Sequence, residues 1–474
     1  MAVDAPARAG DEAPASYGVV RPGGALRDRI GKGAPVALLG AALSRVGGGQ
    51  HLHLVVASEL RDGSGGVRVL PTAPLVAGEL GRAGLSARVT PFGSGPSRLR
   101  AEERAALAAA GALIVESPLS ALADCFPGSP LAVVHAVTGG TARSAPAIDS
   151  LLAARGPLER WARACGSHDV VLASPRSFCA GVERAIETVR RALDTFGAPV
   201  YVRRQIVHNI HVVRQLEAVG AVFVEEIDEV PPKATVVLAA HGVSPAVRAE
   251  ADARGDLRVI DATCPLVAKV HVEARRYAAQ GHQLVLIGHA GHEEVEGTLG
   301  EAPDRFHLVE HAGDVEMLEL DDRQPVAFLT QTTLATDETR ATIAALRRRF
   351  PAIVGPPADD ICYATQNRQD AVRAIARRCD VLLVVGSANS SNTARLAEVA
   401  RREGCRSELI EDVSELQLAW LEGASVIGLT AGASVPETLV TEVIDTLRLL
   451  GPVSLSEATT TTETVRFALP VQVR

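Results

Sequence analysis

The stretch Gln283-Leu-Val-Leu-Ile-Gly-His-Ala-Gly-His-Glu-Glu-Val-Glu-Gly-Thr298 joins a strand-like run to a loop crowded with polar side chains. Residues 284–287 have the length and composition of a buried strand. The run ends at Gly288, and histidines and carboxylates follow directly. In an open α/β sheet, polar groups after a strand reach the crevice where ligands bind. The stretch therefore predicts an α/β fold with a histidine and a glutamate placed to move protons, although a solvated surface loop has a similar pattern.

Other apolar runs of the chain also end at turns rich in hydroxyl, amide or imidazole groups. Runs that are apolar throughout are typical of parallel strands covered on both faces. If their carboxyl ends converge, the polar turns meet in one cavity, and the sequence predicts a set of α/β units around a central site. The runs and the turns after them are Val170-Val-Leu-Ala before Ser174, Val236-Val-Leu-Ala-Ala before His241-Gly-Val-Ser, Val326-Ala-Phe-Leu before Thr330-Gln-Thr-Thr, Val381-Leu-Leu-Val-Val before Gly386-Ser-Ala-Asn-Ser-Ser-Asn392, and Val426-Ile-Gly-Leu before Thr430-Ala-Gly-Ala-Ser434.

Three cysteines stand near the predicted starts of helices. Cys179 and Cys264 follow strand-like runs, and Cys362 precedes a third helical stretch. Backbone N–H groups and the helix dipole favour a thiolate at such positions. No Cys-x-x-Cys occurs, so a metal site would have to be assembled from distant cysteines. Two alternatives follow: zinc with three sulfur ligands and an open position, or an iron–sulfur cluster with one free iron.

The other four of the seven cysteines are predicted to be packing residues, because free cysteine is often simply buried; they are Cys125, Cys165, Cys379 and Cys405. An odd and scattered set of cysteines does not indicate a disulfide framework. The turns around the predicted cavity are rich in serine and asparagine and poor in lysine. Such turns suit an anion held by hydroxyl and amide hydrogen bonds and by helix N-termini.

The composition argues against several classes of partner. The net charge is −8 and only 3% of the residues are aromatic, so the basic patches and stacking platforms of nucleic-acid-binding proteins are not expected. Residues 1–12 are acidic and lack the apolar core of a signal peptide. The longest apolar run near the start, residues 34–43, is too short to span a bilayer. These features predict a cytoplasmic protein with neither a nucleic acid nor a membrane as partner.

The length of 474 residues indicates more than one domain. Residues 1–33 are rich in Ala, Gly and Pro and are predicted to be poorly ordered. Residues 34–165 are predicted to form a separate α/β domain, and a more regular domain follows over 168–474. The first of these domains resembles the nucleoside phosphorylase family at Ile114-Val-Glu-Ser-Pro118. Because Gly139 stands where that family carries its catalytic aspartate, the domain is predicted to be degenerate.

The region from residue 168 to the C-terminus contains nine motifs in order. They are Pro175-Arg-Ser-Phe-Cys-Ala-Gly-Val182, Val207-His-Asn209, Ala240-His-Gly-Val-Ser244, Asp261-Ala-Thr-Cys-Pro-Leu-Val267, Gly288-His-Ala-Gly-His-Glu-Glu-Val-Glu-Gly-Thr298, Thr330-Gln-Thr-Thr-Leu334, Asp360-Ile-Cys-Tyr-Ala-Thr-Gln-Asn-Arg368, Gly386-Ser-Ala-Asn-Ser-Ser-Asn392 and Thr430-Ala-Gly-Ala-Ser434. Together they resemble the LytB/IspH family. The resemblance implies a trefoil of three α/β units with mostly parallel sheets around a central iron–sulfur cluster. It also implies the reduction of 4-hydroxy-3-methylbut-2-enyl diphosphate to isopentenyl and dimethylallyl diphosphate, the last step of the non-mevalonate isoprenoid pathway.

The resemblance implies a role for each candidate site residue. A 4Fe-4S cluster with one open iron would be held by Cys179, Cys264 and Cys362. Glu294 would donate the proton, and Thr332 and His292 would be the other catalytic residues. The allylic diphosphate substrate would be bound by His208, His241, His292, Thr332, Ser390, Ser391, Asn392 and Ser434. Electrons would come from an external donor of the ferredoxin or flavodoxin type.

The chain departs from the family pattern at two positions. Ser177 stands where glycine is common, and Glu293 stands where proline usually separates His292 from the catalytic glutamate. We assign the proton donor as Glu294, because it keeps the spacing to Gly297-Thr298, and we expect removal of the Glu293 carboxylate to cost little of the reaction rate. Two competing functions stay open: a zinc-dependent hydrolase that uses Glu294 as general base, and a non-enzymatic sensor that uses the cluster as a switch.

Overall fold

The structure is a computed structural model with two compact units. The first contains the residues before 170 together with 416–425 and 444–454, and the second contains 170–415, 426–443 and 455–474. No helix within the described residues is both long and apolar enough to cross a membrane. The residues that the structure describes are 36–46, 49–61, 67–69, 72–85, 87–92, 131–134, 157, 160, 163–321, 323–356 and 360–474.

The described part of the first unit contains a mixed sheet and a helix. Its elements are β1 (Val36–Val46), β2 (Gly49–Arg61), β3 (Val67–Val69), α1 (Ala73–Arg82), β4 (Ala87–Phe92) and β5 (Leu131–Val134). The strand order is β3-β2-β1-β5, and β4 pairs with β2. β1 is antiparallel to β2 and parallel to β5. The motif at 114–118 and Gly139 lie outside the described residues, so the degenerate phosphorylase domain stays a prediction.

Helix α1 carries a buried carboxylate that ties it to a distant segment of the same unit. The side chain of Glu79 is 3% exposed. It pairs with Arg82 and Arg160 at 2.6 and 3.2 Å, and its Oε1 accepts a hydrogen bond from the backbone N–H of Leu418 at 3.1 Å. Burial opposes ionisation, but these partners outweigh it and hold the pKa of Glu79 below its ordinary value.

The second unit is built around three sheets. Its strands are β6 (His168–Ser174), β7 (Val200–Arg203), β8 (Ala221–Val224), β9 (Thr235–Leu238), β10 (Arg258–Asp261), β11 (Gln283–Ile287), β12 (Phe306–Val309), β13 (Val326–Thr330), β14 (Val381–Val385), β15 (Arg406–Ile410), β16 (Val426–Ala431) and β17 (Val453–Thr459). The first sheet has the order β10-β9-β7-β8, the second β12-β11-β13 and the third β15-β14-β16-β6-β17. Parallel pairing prevails, as the apolar runs predicted.

Helices cover these sheets. They are α2 (Ala180–Phe196), α3 (Ile210–Glu217), α4 (Pro245–Arg254), α5 (Pro265–Ala279), α6 (Glu293–Leu299), α7 (Thr336–Arg349), α8 (Tyr363–Ala376), α9 (Ser391–Arg402) and α10 (Glu437–Leu450). Every residue of β9, β13 and β14 is buried. Along α2, Ala185 and Val189 recur at helical spacing and pack against Val200 and Val202 of β7. Burial of each valine contributes about 1.5–3 kcal/mol, so such contacts hold helix and sheet together.

Three helices begin at the cysteines that the sequence singled out. Cys179 follows β6 and is the N-cap residue of α2, and Cys264 follows β10 and is the N-cap residue of α5. Cys362 is the N-cap residue of α8, and its N–H donates to the carbonyl of Thr332 just after β13. Each of the three sheets therefore brings one cysteine to the carboxyl ends of its strands. The predicted trefoil of three α/β units is confirmed.

Candidate active site

One cavity of the second unit collects side chains from the carboxyl ends of all three sheets. Its lining includes all of the site residues that the sequence predicted: Cys179, Cys264, Cys362, His208, His241, His292, Glu294, Thr332, Ser390, Ser391, Asn392 and Ser434. More than two hundred and fifty residues separate Cys179 from Ser434 along the chain, yet both line this space.

The sulfur atoms of the cysteines approach one another around a glycine. A Cβ on Gly181 would lie 2.7 Å from Sγ of Cys264 and 3.8 Å from Sγ of Cys179, so a side chain here would collide with the first sulfur. Sγ of Cys362 lies 3.1 Å from Oγ1 of Thr365. Cys264 interacts electrostatically with both Cys179 and Cys362, so the three thiols lie close together.

The pKa values of Cys264 and Cys362 depend more on burial than on the helix N-termini, which favour a thiolate. Burial, joined by repulsion from neighbouring thiols, raises the pKa of Cys264 to about 12 and that of Cys362 to about 11. Hydrogen bonds from the helix N-termini act in the opposite direction but are weaker. Thiolates in this cavity therefore need a cationic partner. Three sulfur donors, with no further cysteine among the lining residues, fit a metal centre that keeps one position open.

A buried carboxyl group faces the same cavity from α6. Glu294 is 3% exposed. Its two oxygens accept hydrogen bonds from the backbone N–H and the hydroxyl of Thr332 at 2.6 and 2.9 Å. Burial and, more weakly, the charge of Asp360 raise the pKa of Glu294 to about 7, and the hydrogen bonds from Thr332 only partly oppose this shift. Glu294 can therefore hold or release a proton near neutral pH.

Three histidines form a second cluster in the cavity. The rings of His208 and His241 stack with their centroids 4.0 Å apart, and the ring of His292 stands edge-on to them at 5.4 and 6.0 Å. Burial lowers the pKa of His208 to about 3, that of His241 to about 4 and that of His292 to about 3, and repulsion between the rings adds to the effect on His208 and His292. Among the described residues, Nε2 of His208 is buried without a hydrogen-bond partner. The cluster is neutral as it stands and offers nitrogen atoms to a ligand.

Hydroxyl and amide groups at the start of α9 complete the cavity. Oγ of Ser390 accepts from the backbone N–H of Thr393, and Oδ1 of Asn392 accepts from the backbone N–H of Ala433. Oγ of Ser434 donates to the carbonyl oxygen of His208 at 3.0 Å. The bond from Ser434 to His208 connects loops of two different sheets, and the polar groups lie beside the N-terminus of α9. Such an arrangement favours an anion.

Glu293 is a cavity neighbour that the sequence analysis did not assign to the site. Its Oε2 lies 3.1 Å from Nδ1 of His241, within hydrogen-bond distance. The doubled carboxylate Glu293-Glu294 was visible in the sequence, but only the fold brings the first of the pair to a histidine fifty-two residues away along the chain.

A buried arginine supports the loop in front of Cys179, and this residue was also missed. Arg368 is completely buried and donates to the carbonyl oxygens of Ser177 and Phe178 and to the carboxylate of Glu463. Ser177 has φ 60°, a left-handed conformation that favours glycine. Its hydroxyl donates to Glu437 at 2.6 Å, which helps to hold the serine in this conformation.

The other described cysteines lie outside the cavity lining. Sγ of Cys379 donates to the carbonyl oxygen of Ile375, and Cys405 is buried in the core of the third sheet. Burial raises the pKa of Cys165 to about 12. Their surroundings agree with the packing role that the sequence predicted, and Cys125 lies outside the described residues.

Comparison with known proteins gives relatives for the second unit. The sequence model of the family described as LytB protein matches residues 170–448. A relative from Cutibacterium acnes, named 4-hydroxy-3-methylbut-2-enyl diphosphate reductase, is 56% identical over 312 residues, which are 66% of this chain and 96% of the relative. A relative from Mycobacterium tuberculosis, named 4-hydroxy-3-methylbut-2-enyl diphosphate reductase 1, is 58% identical over 315 residues, which are 66% of this chain and 95% of the relative.

A solved structure agrees with these sequence relatives. The E-1-hydroxy-2-methyl-but-2-enyl-4-diphosphate reductase from Plasmodium falciparum superposes with a TM-score of 0.62 at 37% identity. The match covers 65% of this chain and 97% of that protein.

Proposed function

Because the chain belongs to the LytB family, we propose that it is a 4-hydroxy-3-methylbut-2-enyl diphosphate reductase. Such an enzyme forms isopentenyl and dimethylallyl diphosphate in the last step of the non-mevalonate isoprenoid pathway. The observation that carries the proposal is the single cavity that unites three cysteines, three histidines and the buried pair of Glu294 and Thr332.

Cys179, Cys264 and Cys362 would hold a 4Fe-4S cluster. When bound, such a cluster supplies the electrons of the reduction and one iron that is free for the substrate hydroxyl. The N–H of Cys362 donates to the carbonyl of Thr332, and Thr332 in turn bonds to Glu294. Thr332 therefore connects the proposed proton donor, Glu294, to Cys362, one of the proposed cluster ligands.

Glu294 would act as the general acid. The substrate loses its hydroxyl group more easily as water than as hydroxide, so a proton has to reach that oxygen as its bond to carbon breaks. With its pKa raised to about 7, Glu294 carries such a proton at neutral pH. Thr332 holds both carboxyl oxygens and so orients the acid.

The diphosphate would be bound by the hydroxyl and amide groups near α9 and by the histidine cluster. Ser390, Ser391, Asn392 and Ser434 provide uncharged hydrogen bonds beside a helix N-terminus. An incoming anion raises the pKa of nearby imidazoles, because it stabilises their charged form. The cluster of His208, His241 and His292 can thus gain positive charge as the diphosphate arrives.

We expect kcat to fall as the pH rises through about 7. The pKa of Glu294 is raised, so its acidic form is present below that pH and is lost above it. The measurement is kcat at saturating substrate with a chemical reductant over a range of pH, with iron content checked at each pH. A kcat that instead increased through pH 7 would make Glu294 a base, as in the zinc-dependent hydrolase.

Metal analysis and turnover distinguish the reductase from its two competitors. Protein prepared without oxygen is expected to contain about four iron and four sulfide per chain and to convert the hydroxylated diphosphate with a chemical reductant. Zinc without sulfide would favour the hydrolase. A full cluster without turnover would favour the sensor.

The proposal also includes the class of electron donor and the cellular location of the protein. A ferredoxin or flavodoxin would deliver the electrons, because no electron-donor motif was found in the sequence. A cytoplasmic location is part of the same proposal.

Deletion of residues 1–165 is expected to leave an active reductase, because all of the proposed site residues lie beyond that point. The deletion removes Glu79 and Arg160 and leaves the N–H of Leu418 to bond with water. We therefore expect kcat to stay within about threefold and the melting temperature to drop by a few degrees, since a lost hydrogen bond costs about 1 kcal/mol. A truncated protein that holds its cluster but does not turn over would contradict this prediction.

A further inference from the structure

Glu293 makes a contact that the proposed mechanism does not use. It is the first residue of α6, its side chain is 20% exposed, and its Oε2 lies 3.1 Å from Nδ1 of His241. An ionised carboxylate can only accept a hydrogen bond, so Nδ1 of His241 must carry the hydrogen. In the neutral ring Nε2 is then a bare nitrogen. His241 can donate to a phosphate oxygen through Nε2 only after it takes up a second proton.

Among the groups around the histidine cluster, Glu293 is the one that favours protonation of the rings. Burial and repulsion among the rings lower the pKa values of His208 and His292, whereas the charge of Glu293 raises both. His289 adds a repulsive effect on His292. Two charged groups stand farther out: Arg204 pairs with Glu296 at 2.8 Å and is also attracted to Glu293. The side chain of Glu294, on the same helix, bonds to Thr332, whereas its backbone N–H donates to Nδ1 of His292 at 3.1 Å.

We propose that Glu293 is a positioning residue that fixes the tautomer of His241 and lets the histidine cluster take up a proton when a diphosphate binds. The inference rests on the proposed function, because it assigns the diphosphate to this cluster. Carboxylate, imidazolium and diphosphate would then alternate in charge across the cavity wall. Without the carboxylate, only the negative charge of the diphosphate would favour protonation of the buried histidines.

The test uses the holoenzyme and inorganic diphosphate as the probe. Binding is followed by calorimetry at pH 7.5 in buffers of different ionisation enthalpy, which gives the number of protons taken up. The wild type is expected to take up about one proton per site, because its histidines are neutral before binding and one becomes charged. The Glu293→Gln variant keeps an oxygen that accepts from Nδ1 but loses the charge, so it is expected to take up less than half as much and to bind about tenfold more weakly.

The pH dependence separates a charge effect from a structural one. A histidine whose pKa is raised in the complex contributes affinity below that pKa and loses it above. Loss of the Glu293 charge lowers this pKa, so the affinity of Glu293→Gln should fall at a lower pH than that of the wild type. The wild type should therefore bind diphosphate about tenfold more tightly than Glu293→Gln near pH 6, and the two affinities should converge above about pH 9. Glu296→Gln makes the same chemical change on the same helix, away from the rings, and should keep wild-type affinity and proton uptake.

Steady-state kinetics provide a second readout. Glu293→Gln should raise KM for the substrate about tenfold at pH 7 and leave kcat within about threefold, because it acts on the diphosphate and not on the hydroxyl group. Equal proton uptake by wild type and Glu293→Gln, or binding without any uptake by the wild type, would overturn the inference. A protein that bound diphosphate with the expected uptake but did not reduce the substrate would leave the inference standing and refute the proposed function.

Discussion

Replacement of Glu294 by glutamine is expected to lower kcat by about 10²-fold or more, the usual contribution of general acid catalysis. Glutamine keeps an oxygen that accepts from the N–H of Thr332 and an amide that donates to its hydroxyl, so the 2.6 and 2.9 Å contacts can persist. What it lacks is an acidic proton. Iron content and diphosphate affinity should therefore stay near the wild-type values while turnover falls.

The adjacent carboxylate is the control for this variant. Glu293→Gln removes the same charge one residue away, but Glu293 bonds to His241 and not to Thr332. It should keep most of kcat and show its effect in KM. If Glu293→Gln lost kcat and Glu294→Gln kept it, the register drawn from Gly297-Thr298 would be wrong and the proton would come from Glu293.

Serine in place of Cys179, Cys264 or Cys362 is expected to remove the cluster and the activity together. An alcohol ionises far less readily than a thiol and is a poorer ligand for iron. In this buried cavity even the thiols need a cationic partner to ionise, since burial raises the pKa values of Cys264 and Cys362 to about 12 and 11. Iron and sulfide analysis, with the visible absorption of protein prepared without oxygen, measures the loss.

Cys379→Ser and Cys405→Ser are the matched controls. Sγ of Cys379 donates to the carbonyl oxygen of Ile375, a bond that a serine hydroxyl can also make. Neither residue lines the cavity, so both variants should keep the cluster and full turnover. A Cys362→Ser protein with a complete cluster and normal kcat would refute the proposed ligand set.

Much of the fold was predictable because buried parallel strands leave a local pattern. The runs at 236–240, 326–329 and 381–385 are apolar throughout, and strands β9, β13 and β14 are found there, each fully buried. The polar turns after these runs were equally visible. The residues that follow a strand form the loop at its carboxyl end. Strand direction alone therefore places these polar residues at the cavity.

The first unit was less accessible to the same reasoning. Its β1 pairs antiparallel with β2 and parallel with β5, a mixed arrangement that apolar runs by themselves do not specify. In this unit the buried carboxylate of Glu79 accepts a hydrogen bond from Leu418, which lies 339 residues away along the chain. Contacts over such a distance depend on packing and leave no periodic signal in the sequence.

The residue types that perform the proposed chemistry, and their order along the chain, could be read directly from the amino-acid sequence. It also determined that Cys179, Cys264 and Cys362 stand at helix starts, because strand and helix patterns are set by neighbouring residues. The protonation behaviour of these groups, in contrast, depends on how the chain packs around them. Burial overcomes the helix N-termini at the thiols, brings Glu294 to a pKa of about 7 and keeps three histidines neutral. It was likewise the fold that set Glu293 against His241, because desolvation and the approach of distant charges depend on what packs around a group and not on its neighbours in the chain.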